Sequence, residues 1–194
     1  MLNDIKQFYA YTGFVPLQKK RMPEKRIISL FEEPLTEELQ ERIDLIIHKL
    51  KFVETRPKVC CISGLEPLRG AQEEVSGMIG IAGGTAVLAG NGDGPVSIDP
   101  SDLWEADPDI ILVAAAGLSI EQTLKEIDVL LQLRGWNDLR AVKDNQVYIA
   151  DAGQYFQGSD AHVVDSIEIL AEIINPRQFV FGYEGNGWLK FSLS

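Results

Sequence analysis

The order of elements along the chain predicts an α/β fold: a mainly parallel sheet flanked by helices. Three observations carry that expectation. "IILVAAA" (110–116) is a continuous apolar run of strand length, which suits a strand covered on both faces. "KVCCIS" (58–63) and "QVYIA" (146–150) are two further β-rich runs. Around them, apolar residues recur at the three-to-four spacing of amphipathic helices. The sum is a Rossmann-like single lobe, preceded by a helix and followed by an aromatic tail.

Residues 1–35 lack a periodic pattern and form an irregular arm. Its basic cluster (Lys19, Lys20, Arg21, Lys25, Arg26) leads into "IISLF", a candidate short strand. Thr36 then precedes Glu37 and Glu38, an N-cap followed by acids against the positive end of a helix dipole. Leu39, Ile43, Ile46, Ile47 and Leu50 follow on one face, so the helix runs to about Lys51 and "ETRP" closes it within 36–57.

The lobe spans 58–176. After "KVCCIS", "AQEEVSGMIGIAGG" reads as a helix stopped by glycines. "GNGDGPVS" is a loop; its glycines follow no strand and precede no Lys-Ser/Thr, so it lacks the context of a phosphate cradle. Asp99-Pro100 opens a short helix, with proline at the first helical position. Ser119 and Gln122 form a capping box before Ile120, Leu124, Ile127 and Leu131. Ser159 or Asp160 caps a last helix carrying Val163, Val164, Ile167, Leu170 and Ile174, and Asn175-Pro176 ends it. In the tail, 177–194, two alternating aromatic runs flank "EGNG", which predicts a β-hairpin.

The net charge of −11 is uneven. Residues 1–58 hold 11 Lys/Arg against 9 Asp/Glu, and residues 59–194 hold 7 against 20. A lobe this acidic repels phosphate backbones, which argues against nucleic acid as a partner. No window is apolar for long enough to span a bilayer, and the first residues lack a signal-peptide pattern, so the chain as given reads as cytoplasmic. Cys60 and Cys61 are adjacent in a strand and point to opposite faces, which disfavours a bridge between them and suits packing.

In open parallel sheets, ligands bind beyond the carboxyl ends of the strands. Here those ends run into "SGLEPLRG", "AGLS" and "DAGQYFQG", joined by the loop around Pro95–Asp99. Together they offer Leu65, Glu66, Leu68, Asp151, Gln154, Tyr155, Phe156 and Gln157, an apolar and aromatic wall with a few polar groups. Tyr155 and Phe156 stand side by side, so one ring is expected in the core and the other in the cleft. Nothing marks catalysis. His48 lies on the polar side of its helix and His162 in a first turn, Asp99 and Asp102 read as caps, and no Gly-x-Ser-x-Gly, HExxH or Cys/His metal cluster is present.

The segments "RPKVCCISGLEPL", "MIGIAGG", "VSIDPSDLWEADPDIILV", "GWNDLRAVKDNQVYIADAGQYF" and "DSIEILAEIINP" resemble the carboxyl-terminal lobe of the cobalamin- and ferric-siderophore-type periplasmic binding proteins, the substrate-binding subunits of ABC importers. The resemblance covers about residues 36–176 and makes the helix within 36–57 the end of the rigid helix that connects two lobes. It implies a non-enzymatic ligand-binding protein for cobalamin, haem or a ferric siderophore. By position it implies ligand contacts at Gly64, Leu65, Glu66 and Pro67, at Val96 and Ser97, and at Asp151, Gln154, Tyr155 and Phe156. It further implies docking to an ABC permease. There the stretch offers Ser101 and Asp102 in place of the family's glutamate, which leaves Asp102 as the docking candidate.

About 57 residues precede the first strand, too few for a complete amino-terminal lobe. The arm would then be a vestigial lobe, or self-association would complete the cleft, or binding has been lost and the chain is a cytosolic protein-interaction module. A lost leader or lobe would make it periplasmic.

Overall fold

The computed structural model describes residue 30 and residues 35–90, 94–156 and 158–192. The expected strand "IISLF", apart from Leu30, and the basic cluster lie outside these residues.

Helix α1 (Glu37–Leu50) starts as expected: the Thr36 hydroxyl accepts the Leu39 N–H at 3.4 Å, and Ile43 and Ile46 are buried. The lobe follows as β1 (Lys58–Gly64), β2 (Arg69–Gly70), α2 (Glu73–Ile81), β3 (Thr85–Val87), α3 (Pro100–Ala106), β4 (Ile110–Val113), α4 (Ile120–Glu126), α5 (Asp128–Leu131), a 3-10 turn (Trp136–Asp138), α6 (Arg140–Lys143), β5 (Val147–Ala150), α7 (Asp160–Ile174) and β6 (Trp188–Phe191). The sheet order is β2-β1-β4-β5-β6, with β3 also on β1. β3, β1, β4 and β5 are parallel, and the short edge strands β2 and β6 are antiparallel. The fold is therefore the expected mainly parallel α/β layer.

Two cores cover the sheet. One face packs against α1, α2 and α7 through Ile46, Ile79, Ile167 and Leu170; the other packs against α3 to α6 through Leu103, Ile127 and Trp136. All four residues of β4 and all four of β5 are buried, which is why they read as unbroken apolar runs. Neither β2 nor β3 was expected, since two and three residues are too few to show a period.

The expected hairpin is not formed. Only its second arm is a strand, and β6 pairs with β5, Ala150 opposite Trp188 and Val147 opposite Phe191. The first arm is drawn away by a carboxylate. Glu172 on α7 is 4% exposed and accepts the backbone N–H groups of Phe181, Gly182 and Tyr183, the last two at 2.6 and 3.2 Å. It also accepts the Trp188 Nε1–H at 2.8 Å. Backbone donors used in this way are not available to a second β ladder.

Cys60 and Cys61 are free and buried in opposite cores, as the alternation of a strand requires. Burial pushes the Cys60 thiol from 9.0 up to about 12 and also raises Cys61. The unfolded chain ionises both above pH 9.0, whereas the folded chain keeps the protons. The stabilisation is thus fully present below pH 9.0 and declines as pH rises towards about 12, by about 1.4 kcal/mol per pH unit for each thiol. The Cys60→Ala/Cys61→Ala double variant should therefore lose less melting temperature than the parent between about pH 8.5 and 10. Equal losses in both proteins would refute the assignment.

Candidate functional site

The parallel register places Ile62 beside Val113 and Val113 beside Ile149, so the carboxyl ends of β1, β4 and β5 share one edge. A cleft of about 540 Å³ opens there, on the face covered by α2 and α7. Buried small side chains, Cys61, Ala71, Ala114 and Ala152, lie at its base, and the exposed Ala116 also lines it. Pro67, Pro95 and Phe156 supply apolar walls, and Glu66, Arg69 and Glu74 bring charge to the rim.

The turn after β1 is held tightly. The Ser63 hydroxyl donates to the Gly70 carbonyl at 2.7 Å, and the Ala71 N–H to the Cys61 carbonyl at 2.9 Å. Gly70 is required by close approach, because a Cβ there would lie 1.9 Å from the Leu88 carbonyl oxygen. Glu66-Pro67 is a cis peptide within this turn, and both side chains are exposed.

Four of the ten residues expected to contact ligand line the cleft: Gly64, Glu66, Pro67 and Phe156. Leu65 does not; it is 4% exposed and packs into the opposite core. Val96 and Ser97 are exposed beside β2, where the Val96 carbonyl accepts the Gly70 N–H and Ser97 bridges Arg69. Asp151 shapes the loop after β5, its Oδ1 accepting the Gln154 N–H at 2.9 Å. Gln154 donates through Nε2 to the Tyr155 hydroxyl at 3.2 Å. Asp102 sits in the first turn of α3, and its carboxylate accepts the Asp99 N–H at 2.8 Å.

The paired rings part ways. Tyr155 is buried, edge-to-face with Tyr183 at 5.7 Å, and burial raises its phenol above the ordinary value. Phe156 is half-buried and turns to the cleft with φ at 68°. A side chain in that left-handed region costs on the order of 1–2 kcal/mol relative to right-handed backbone. Its N–H is held by the Ser166 hydroxyl of α7 at 2.8 Å.

Sequence reasoning missed Arg69, Gln72, Glu74 and Val75, which reach the cleft from β2 and the start of α2. The β-α order alone places the start of α2 at this edge, and that signal would have found three of them. The small residues at the base have no comparable signature.

Residues 33–153 match a family model described as periplasmic binding protein. The chain belongs to that family. Among solved structures with this fold is an ABC transporter substrate-binding protein from Listeria monocytogenes EGD-e, 19% identical with a TM-score of 0.64, covering 90% of this chain and 63% of that one. IsdE from S. aureus, solved in complex with heme, is 19% identical with a TM-score of 0.63, covering 89% and 63%. The TroA-like periplasmic binding protein FepB from Veillonella parvula is 20% identical with a TM-score of 0.58, covering 80% and 52%. The chain thus spans between about half and two thirds of the length of these solved structures. No curated protein matches. Among the described residues no helix is long and apolar enough to cross a membrane.

Proposed function

We propose that the chain is a non-catalytic ligand-binding lobe that takes a large, flat or iron-bearing ligand: haem, a ferric siderophore or cobalamin. The cleft carries this reading. Its floor of small residues, bounded by Pro67 and Phe156 and rimmed by Glu66, Arg69 and Glu74, lies at the edge where open parallel sheets bind ligands. The haem bound by the S. aureus protein supports the same ligand class. The family is periplasmic by description, and delivery to an ABC permease, with Asp102 at the docking surface, belongs to the same proposal. So does closure of the cleft by a second copy of the chain.

Hemin, cyanocobalamin or ferrichrome at about 100 µM should raise the melting temperature. A ligand held with a Kd near 1 µM adds about 2.7 kcal/mol, or roughly 5–10 °C for a chain of this length. No shift with any of the three would overturn the proposal.

A further inference from the structure

We propose that Ser166 on α7 is the positioning residue that aims the Phe156 ring into the cleft, and that the ring so held contributes to ligand affinity. The inference rests on the ligand-binding reading above.

Phe156 occupies a backbone conformation, φ 68°, that glycine adopts without penalty. In the same loop glycine stands at another left-handed position, Gly158, at φ 98°. A residue set by the demands of the loop alone would therefore be glycine at 156 as well. The aromatic ring stands there against the backbone preference, and it lines the cleft beside Ala114 and Ala152.

The device that holds it comes from a different element. Ser166 is fully buried, and its hydroxyl proton is committed to the His162 carbonyl at 2.8 Å, one turn back on α7. Only lone pairs remain on Oγ, so the hydroxyl is fixed as an acceptor, and the Phe156 N–H meets it at 2.8 Å. On the other side of the same peptide, Tyr155 is anchored in the core by its contact with Tyr183. With that peptide held from both sides, the backbone that carries the ring is restrained in its left-handed conformation. Strained residues persist only where their surroundings over-determine them, and here those surroundings are Ser166 and Tyr155.

The test uses the full chain and two readouts that need no ligand. In protein labelled with 4-fluorophenylalanine, the Phe156 line is identified by its loss in Phe156→Leu. Ser166→Ala should broaden or shift that line, and Ser166→Thr, which keeps the hydroxyl, should restore it. Phe156→Gly should melt within about 3 °C of the parent, because relief of the backbone strain offsets the lost contact. With whichever of hemin, cyanocobalamin or ferrichrome binds the parent, Phe156→Gly and Ser166→Ala should each weaken binding at least about tenfold, about 1.4 kcal/mol, with Ser166→Thr close to the parent. An unaltered Phe156 line in Ser166→Ala, or unaltered affinity in Phe156→Gly, would overturn the inference. A parent chain that binds none of the probes would sink the ligand-binding reading, while the fluorine line would still decide the role of Ser166.

Discussion

Replacing Glu172 with alanine is expected to destabilise the fold by roughly 3–5 kcal/mol and to free the carboxyl-terminal strand. The side chain is 4% exposed, yet four N–H donors converge on it, three from the backbone at Phe181, Gly182 and Tyr183 and one from the Trp188 ring. Alanine removes the acceptor and leaves these donors without it in a site poor in water. Each unsatisfied buried donor costs on the order of 1–3 kcal/mol, less whatever water recovers. The damage spreads because the same segment seats Phe179, 1% exposed, and leads into β6. Glutamine is the informative partner variant: it keeps one acceptor oxygen but turns an NH2 group towards donors, so most of the loss should remain. Urea unfolding gives the stability, and amide exchange at Trp188–Phe191 reads the release of the strand. A Glu172→Ala protein within about 1 kcal/mol of the parent would show that the carboxylate does not hold the tail.

That carboxylate also marks where sequence reasoning stops. β4 and β5 were legible because burial on both faces leaves an unbroken apolar run, and α1 because Thr36 and the Ile43–Ile46 stripe are local signals. The tail carried an equally good local signal for a hairpin around "EGNG". It lost to hydrogen bonds from a helix whose Glu172 lies 9 to 16 residues away, and no periodicity records such a contact. The candidate site divides in the same way. The turn after β1 and the loop after β5 follow from strand order, so Glu66, Pro67 and Phe156 could be named in advance. Alternation along an extended chain would send the paired rings to opposite sides, but which one faces the cleft depends on the left-handed backbone at Phe156 and on Ser166, ten residues away. Leu65 shows the converse: its place after the strand suggested the cleft, and the tight turn sent it into the opposite core.

Arg42→Met is expected to cost about 3 kcal/mol, and the loss should shrink when Glu168→Leu is added. Arg42 grips Glu168 with two bonds, Nε to Oε1 at 2.9 Å and Nη2 to Oε2 at 2.6 Å, and reaches Asp165 at 2.5 Å. The Tyr183 hydroxyl stands 3.0 Å from both carboxylates, and burial and their negative charge push its pKa well up. The cluster ties α1 to α7 and to the tail. It holds two negative charges against one positive, and the Glu168 side chain is 7% exposed. Without the guanidinium, Glu168 keeps a buried charge next to Asp165, so the penalty comes mainly from the orphaned carboxylate rather than from the lost contact area. Removing that carboxylate as well takes away the source of the penalty, and leucine fills part of its space. The double variant should therefore be more stable than the sum of the two single losses predicts. Arg42 is about one quarter exposed, which keeps the expected cost below that of a fully buried pair. Strictly additive urea midpoints, or a loss under about 1 kcal/mol for Arg42→Met alone, would mean that apolar packing through Ile43 and Ile46 is enough to seat α1.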